Sequence, residues 1–293
     1  MQEIAKRIKS RALELLADGT VARVIGWEQG EMEADWSPAL FTTADEMAGF
    51  VYGEHSGANL SKYCVRFNRA EGKTLIVLKP CDTLSFNQLC KEHRVNRENF
   101  YIIGAGCKGM TDENGLLLKC KTCKGKNFEV VDEVIDDDAC HDVPESNRFE
   151  EVAKLESMTH EERFEFWRGE LSRCIRCNAC RNVCPACTCQ KCVFDNPNSG
   201  VAAKANTTDF EENMFHIIRA FHVAGRCTDC GECSRVCPQN IPLHLLNRKF
   251  IKDINTFYGD FQAGEDTESR APLTNYTKGD VEPSIVYHKG GKN

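Results

Sequence analysis

The reading of this chain turns on CIRCNACRNVCP at residues 174–185, which recurs as CTDCGECSRVCP at 227–238. Both stretches follow C-x2-C-x2-C-x3-C-P, the spacing in which three thiolates close on one iron–sulfur cube while the fourth reaches a second. Two intervening residues form a loop tight enough to turn successive sulfurs inward and aim backbone N–H groups at the bound anion, and the proline then turns the chain away. On the crossed pattern, Cys174, Cys177, Cys180 and Cys237 hold one [4Fe-4S] cluster, and Cys227, Cys230, Cys233 and Cys184 hold another. C-x2-C also suits zinc, but zinc sites commonly leave longer gaps between pairs, so two identical four-cysteine runs ending in proline point to iron.

Eighteen cysteines would suggest disulfides in a small secreted protein. The N-terminal MQEIAKRIKSRALELLADG instead alternates charged and apolar residues, without the unbroken apolar core of a signal peptide. No apolar run approaches the roughly 20 residues that span a bilayer. The cysteines are therefore expected to be reduced ligands in a cytoplasmic protein. A net charge of −7 without a long basic stretch argues against nucleic acid as a partner, and 293 residues suffice for two domains with cores of their own.

In the N-terminal half, Ile4, Ile8, Ala12 and Leu15 at helical spacing predict a helix over 4–16 that ends near Gly19. Val21–Trp27 reads as a strand, and Thr43 with Glu46 as a capping box opening a short helix through Met47 and Phe50. Residues 74–78 (TLIVL) predict a buried strand leading into Cys81. Asp82 is the expected cap of a helix through Leu84, Phe86 and Leu89, and residues 100–103 a second strand ending at Gly104-Ala-Gly106-Cys107. Such a βαβ unit with neighbouring strands brings Cys81 and Cys107 out at the carboxyl ends, where open α/β sheets place their sites. The knuckle Cys120-Lys-Thr-Cys123 follows, so Cys81, Cys107, Cys120 and Cys123 are the candidate ligands of a third cluster. A zinc knuckle of Cys120 and Cys123, or no metal at all, are the competing readings. Gly104-x-Gly106-x-x-Gly109 matches a dinucleotide fingerprint, but the turn sequence Thr111–Gly115 stands where the required helix would begin.

Residues 136–146 read as a connection. Thr159 with Glu162 forms a second capping box, and Phe164, Trp167, Leu171 and Cys174 follow on one predicted helical face. Phe210, Met214, Ile217 and Phe221 predict the buried face of another helix, and Pro242 the start of a third through Leu246, Phe250 and Ile254. Cys187, Cys189 and Cys192 are open to three readings: ligands of a further metal, a replacement for Cys184, or packing beside the clusters. His216 and His222 are read as packing residues. Arg176, Arg181, Arg226, Lys121 and Lys191 stand beside candidate ligands and would favour a reduced cluster, or are solvated charge. The tail from Gly259 is polar and aperiodic, with Phe261, Tyr276 and Tyr287 as the expected anchors on another subunit.

The segments Lys79-Pro-Cys81-Asp, Ile102–Met110, Cys120-x-x-Cys123 and Cys174–Cys192 resemble the β subunit of methanogen-type formate dehydrogenases and deazaflavin-reducing hydrogenases. RAFHVAGRCTDCGECSRVCP at 219–238 is similar to the iron–sulfur C subunit of heterodisulfide reductases, and together these segments cover roughly residues 74–250. The resemblance implies electron transfer between an active-site subunit and another redox module, and in full-length relatives FAD and deazaflavin reduction. Only 50 residues separate Cys123 from Cys174 here, too short for the rest of a flavin domain, so FAD is not the favoured cofactor.

The expected fold is α+β: a small α/β domain over 1–145, an α-helical dicluster ferredoxin domain over 146–258 and an extended, partner-bound tail over 259–293. The expected function is electron relay in a cytoplasmic redox complex, by two [4Fe-4S] clusters and a third, without insertion into a membrane. A flavin-bearing subunit that itself reduces a soluble carrier, and a zinc-organised scaffold, are the alternatives.

Overall fold

The computed structural model describes residues 1–125, 127–137, 140, 147–195 and 209–272, with 209–213 as backbone alone. Helix α1 (Gln2–Ala17) buries Ile4, Ile8, Ala12 and Leu15, the four residues whose spacing predicts it. Gly19 then supplies the positive φ of +76° that turns the chain into β1 (Arg23–Gln29). Strand β2 (Trp36–Phe41) and the two-residue β3 (Phe50–Val51) both pair with β1 antiparallel. The Thr43–Glu46 box forms, each side chain accepting from the other's backbone N–H at 3.2 Å, but it opens only a 3-10 turn over Glu46–Gly49 before Phe50 enters β3.

After the short α2 (Cys64–Phe67), β4 (Thr74–Leu78), α3 (Pro80–Lys91) and β5 (Phe100–Ala105) make the expected βαβ unit, with β4 and β5 parallel and Leu78 opposite Gly104. All five residues of β4 are buried, as the continuous apolar run requires of a central parallel strand. Asp82 does not cap α3. The helix starts at Pro80, whose fixed φ suits the first helical position, so Asp82 falls in the first turn and pairs with Lys79 at 2.7 Å. Cys81 is thereby built into the helix itself.

A ribbon of β6 (Thr111–Asp112) and β7 (Gly115–Leu116) follows Gly109 where a dinucleotide site would need a helix. Helix α4 (Leu118–Lys121) carries Cys120, and β8 (Glu133–Ile135) completes a sheet of order β2-β1-β4-β5-β8. Sequence periodicity misses β8: three residues with an acid at the first position carry no alternation to read.

The second half is helical: α5 (Glu150–Glu156), α6 (His160–Ser172), α7 (Ala179–Val183), α8 (Asp209–His222), α9 (Glu232–Arg235) and α10 (Leu243–Tyr258). Thr159 caps α6 through the full reciprocal box. The faces that periodicity assigns to the core are only partly buried. On α6, Leu171 is buried and Phe164 is exposed; on α10, Ile254 is buried, with Leu246 and Phe250 half-buried. On α8, Met214, Ile217 and Phe221 face outward, and Phe215, His216, Arg219 and Ala220 are buried in their place.

The halves are stitched together by polar contacts. Ser85 and Thr228 share a hydrogen bond of 2.8 Å, Arg226 pairs with Glu92, Arg248 donates to Thr122 Oγ1, and the buried Lys119 meets the buried Glu232 at 2.5 Å. Residues 259–272 lie against the chain's own first half. Lys91 sits over the Phe261 ring and pairs with Asp266, and Gly264 approaches the α3 backbone so closely that a Cβ there would lie 1.9 Å from the Leu84 carbonyl oxygen. Phe261, expected on another subunit, thus lies against its own chain; Tyr276 and Tyr287 lie outside the described residues.

Candidate metal centre

The two cysteine runs fold into the same local backbone. The third and fifth residues of each are left-handed: Arg176 and Asn178 at φ +54° and +63°, Asp229 and Gly231 at +56° and +70°. Asn, Asp and Gly accept this region at the least cost. In the second run glycine is also required by space, because a Cβ at Gly231 would come within 2.6 Å of the Lys119 Cβ. The left-handed turns aim backbone donors at sulfur: Arg176 N–H at Cys174 Sγ and Asp229 N–H at Cys227 Sγ, each at 3.4 Å. The fifth residue then starts α7 or α9, whose second residue is Cys180 or Cys233.

The sulfurs that come together do so across the two runs. Cys180 is in electrostatic contact with Cys233, Cys177 and Cys237, and it packs in one apolar group with Cys174 and Cys237. Cys227, Cys230 and Cys233 each sense Cys184. Burial pushes the thiol of Cys180 up to about 11 and those of Cys227 and Cys233 to about 12. Without metal these groups hold their protons at neutral pH, so loading them must release protons.

Cys81, Cys107, Cys120 and Cys123 line one cavity of about 160 Å3. Gly109 N–H donates to Cys107 Sγ at 3.4 Å and Met110 N–H to Cys120 Sγ at 3.3 Å, the kind of donors found in the two runs. Cys81 and Cys123 share a proton: the hydrogen bond from Cys81 brings Cys123 down to about 6 and holds Cys81 protonated. Gly125 permits this closure, since a Cβ there would lie 2.4 Å from the Cys81 Cα. Asp229 and Cys230 line the same cavity, so this third set of thiols abuts the second run.

Among the described residues no three His, Cys, Asp or Glu side chains lie close enough to hold a single metal ion. Cys81, Cys107, Cys120 and Cys123 instead surround a larger space, and the donor chemistry of all three sets, soft sulfur with backbone N–H, fits an anionic iron–sulfur cube. Cys187 shares a hydrogen bond with Cys184, Cys192 packs beside Cys174, and Cys189 is exposed. Lys62 donates to the carbonyls of both Cys184 and Cys187, tying this loop to the first half.

Three of the five cations that sequence proximity singles out are already engaged. Arg226 pairs with Glu92, Arg181 with Asp195, and Arg176 stacks 4.2 Å from the Phe215 ring centre. Two others, absent from that reading, are buried with no hydrogen-bond partner among the described residues: Lys124 Nζ beside the third set, and all three guanidinium nitrogens of Arg219. Lys124 follows Cys123 directly and was legible as a neighbour. Arg219 lies eight residues before its nearest run, and no spacing rule reaches it.

Residues 170–241 match the 4Fe-4S dicluster domain family. Over 81% of its length the chain is 23% identical to the F420-dependent formate dehydrogenase subunit beta of Methanocaldococcus jannaschii, of which it covers 86%. It is 22% identical to the F420-dependent formate dehydrogenase 1 subunit beta of Methanococcus maripaludis, over 88% of this chain and 90% of that one. A shorter segment, 27% of the chain, is 33% identical to three quarters of a putative ferredoxin-3 of Sinorhizobium fredii.

Proposed function

We propose that this chain, an iron–sulfur electron-transfer subunit of an oxidoreductase and a homologue of formate dehydrogenase beta subunits, holds three [4Fe-4S] clusters in a row within a formate dehydrogenase-like complex. Cys174, Cys177, Cys180 and Cys237 would hold the first, Cys184, Cys227, Cys230 and Cys233 the second, and Cys81, Cys107, Cys120 and Cys123 the third. The observation that carries the order is the cavity wall: Cys230 of the second set lines the space around the third. Bound there, the clusters would supply one-electron transfer at potentials set by charge, burial and hydrogen bonds to sulfur.

The chain's own residues do the rest. Backbone N–H groups of Arg176, Asp229, Gly109 and Met110 point at sulfur and offset its negative charge. Lys119, held between Glu232 and the Gly57 carbonyl, locks the third set against the second run. At the opposite end Cys177 and Ile175 are exposed, the latter by 59%, and this is where a partner's redox group would approach. Substrate chemistry would belong to that partner. Only 50 residues separate Cys123 from Cys174, and a flavin is not part of the proposal.

Iron analysis of Cys81→Ser tests the third set. The variant is expected to lose about four irons and four sulfides per chain and keep the rest. Unchanged iron would remove the third cluster from the proposal.

A further inference from the structure

The side chain of Arg219 is 2% exposed, and its Nε, Nη1 and Nη2 have no hydrogen-bond partner among the described residues. An unpaired buried guanidinium costs several kcal/mol, so its retention demands an anion that proteins place nearby. Its position on α8 identifies which anion. Phe215, one turn before it, packs in the apolar group of Cys180, Cys233, Cys174 and Cys237; Val223, one turn after it, packs in the group of Cys184, Cys187 and Cys227. Residues four apart lie on one helix face, so Arg219 stands between the two. The sulfurs of Cys233, Cys180, Cys184 and Cys187 are the charges it senses, and they more than offset the effect of burial in keeping it protonated.

We infer that Arg219 is the shared counter-charge of the two clusters of the dicluster region, a positioning residue that raises both of their reduction potentials together. The inference rests on the proposed ligand sets. It concerns a residue that touches neither motif in sequence and that no ligand rule selects. A fixed cation favours the reduced form, which carries one more negative charge, and since it senses Cys180 of the first set with Cys233 and Cys184 of the second it acts on both. Cys81, Cys107, Cys120 and Cys123 are not among the sulfurs that bear most strongly on it.

The test is an anaerobic redox titration of the holoprotein followed by electron paramagnetic resonance, in wild type, Arg219→Gln and Arg219→Lys. Cys81→Ser serves to identify the third cluster's signal. In Arg219→Gln the reduction equilibria of both dicluster clusters are expected to fall at least tenfold, about 59 mV for a one-electron couple, with the third unmoved. Arg219→Lys, which keeps the charge, restores most of the shift. Unmoved potentials in Arg219→Gln, a shift in one cluster alone, or an equal shift in all three would overturn the inference. Should Arg219→Gln fail to retain iron, retention by Arg219→Lys sustains it, and loss in both refutes it. A wild-type protein without iron would instead overturn the proposed function, and the two failures are thus distinct.

Discussion

Replacing Glu232 by alanine tests how the two halves of the molecule are joined. Glu232 is fully buried and answers two cations, Lys119 at 2.5 Å from the first half and Arg235 at 2.8 Å from its own helix. Burial by itself would raise its pKa; the fields of Lys119 and Arg235 override this and hold it at about 2. Removing the carboxylate leaves Lys119, whose side chain is only 7% exposed, without its ion-pair partner. Breaking a buried pair in this way costs about 3–5 kcal/mol, a fall on the order of 10 °C in apparent melting temperature. Lys119→Met should cost less, because Glu232 keeps Arg235. The depressed carboxylate also predicts a pH signature. Its folded value lies below the unfolded 4.5, so the stability it contributes is present above pH 4.5 and is lost as pH falls toward 2. Anaerobic melting of wild type, Glu232→Ala and Lys119→Met at pH 7 and pH 4 reads both effects. A Glu232→Ala shift no larger than that of an exposed pair such as Lys154–Glu150, or an unaltered acid limb, would refute the argument.

Other positions give sharper local tests. Gly125→Ala should cost the third cluster alone, about four irons, because its Cβ would collide with Cys81, whereas Gly169→Ala, with open space around it, should leave the iron count unchanged. His216 is buried with both ring nitrogens unpartnered among the described residues, and burial together with Arg219 holds it neutral down to about pH 3. The unfolded chain takes up a proton below 6.5 that the native one refuses, so stability should fall by up to about 1.4 kcal/mol per pH unit through this window. His216→Phe should flatten that slope in melts between pH 7 and 5. Thr159→Ala should lower stability by about 1 kcal/mol without altering iron content, because it removes only the cap of α6. An effect on iron would show that α6 positions the first run.

The cysteine runs could be read from sequence because their information is local: Cys174 to Cys184 fixes its own loop, and the same backbone recurs at Cys227 to Cys237. The βαβ unit was legible for the same reason, since a buried five-residue strand followed by Pro80 leaves few alternatives. What escaped was set by tertiary partners. On α8 the predicted apolar stripe of Met214, Ile217 and Phe221 lies outward, Phe221 by 62%, because the buried face is that of Phe215, His216, Arg219 and Ala220. A buried face that must also carry a cation blurs the pattern by which helices are usually oriented. β8 was missed because its pairing with β5, not its composition, makes it a strand. The pairing of Glu232 with Lys119, 113 residues apart, has no local signal, and only the fold places them face to face.

The central claim is that three sets of four thiols in this chain hold iron–sulfur cubes, and total metal content addresses it most directly. Protein purified without air and supplied with iron and sulfide is expected to contain about twelve irons and about twelve acid-labile sulfides per chain. A colourless preparation, or one carrying zinc in place of iron and sulfide, would contradict it.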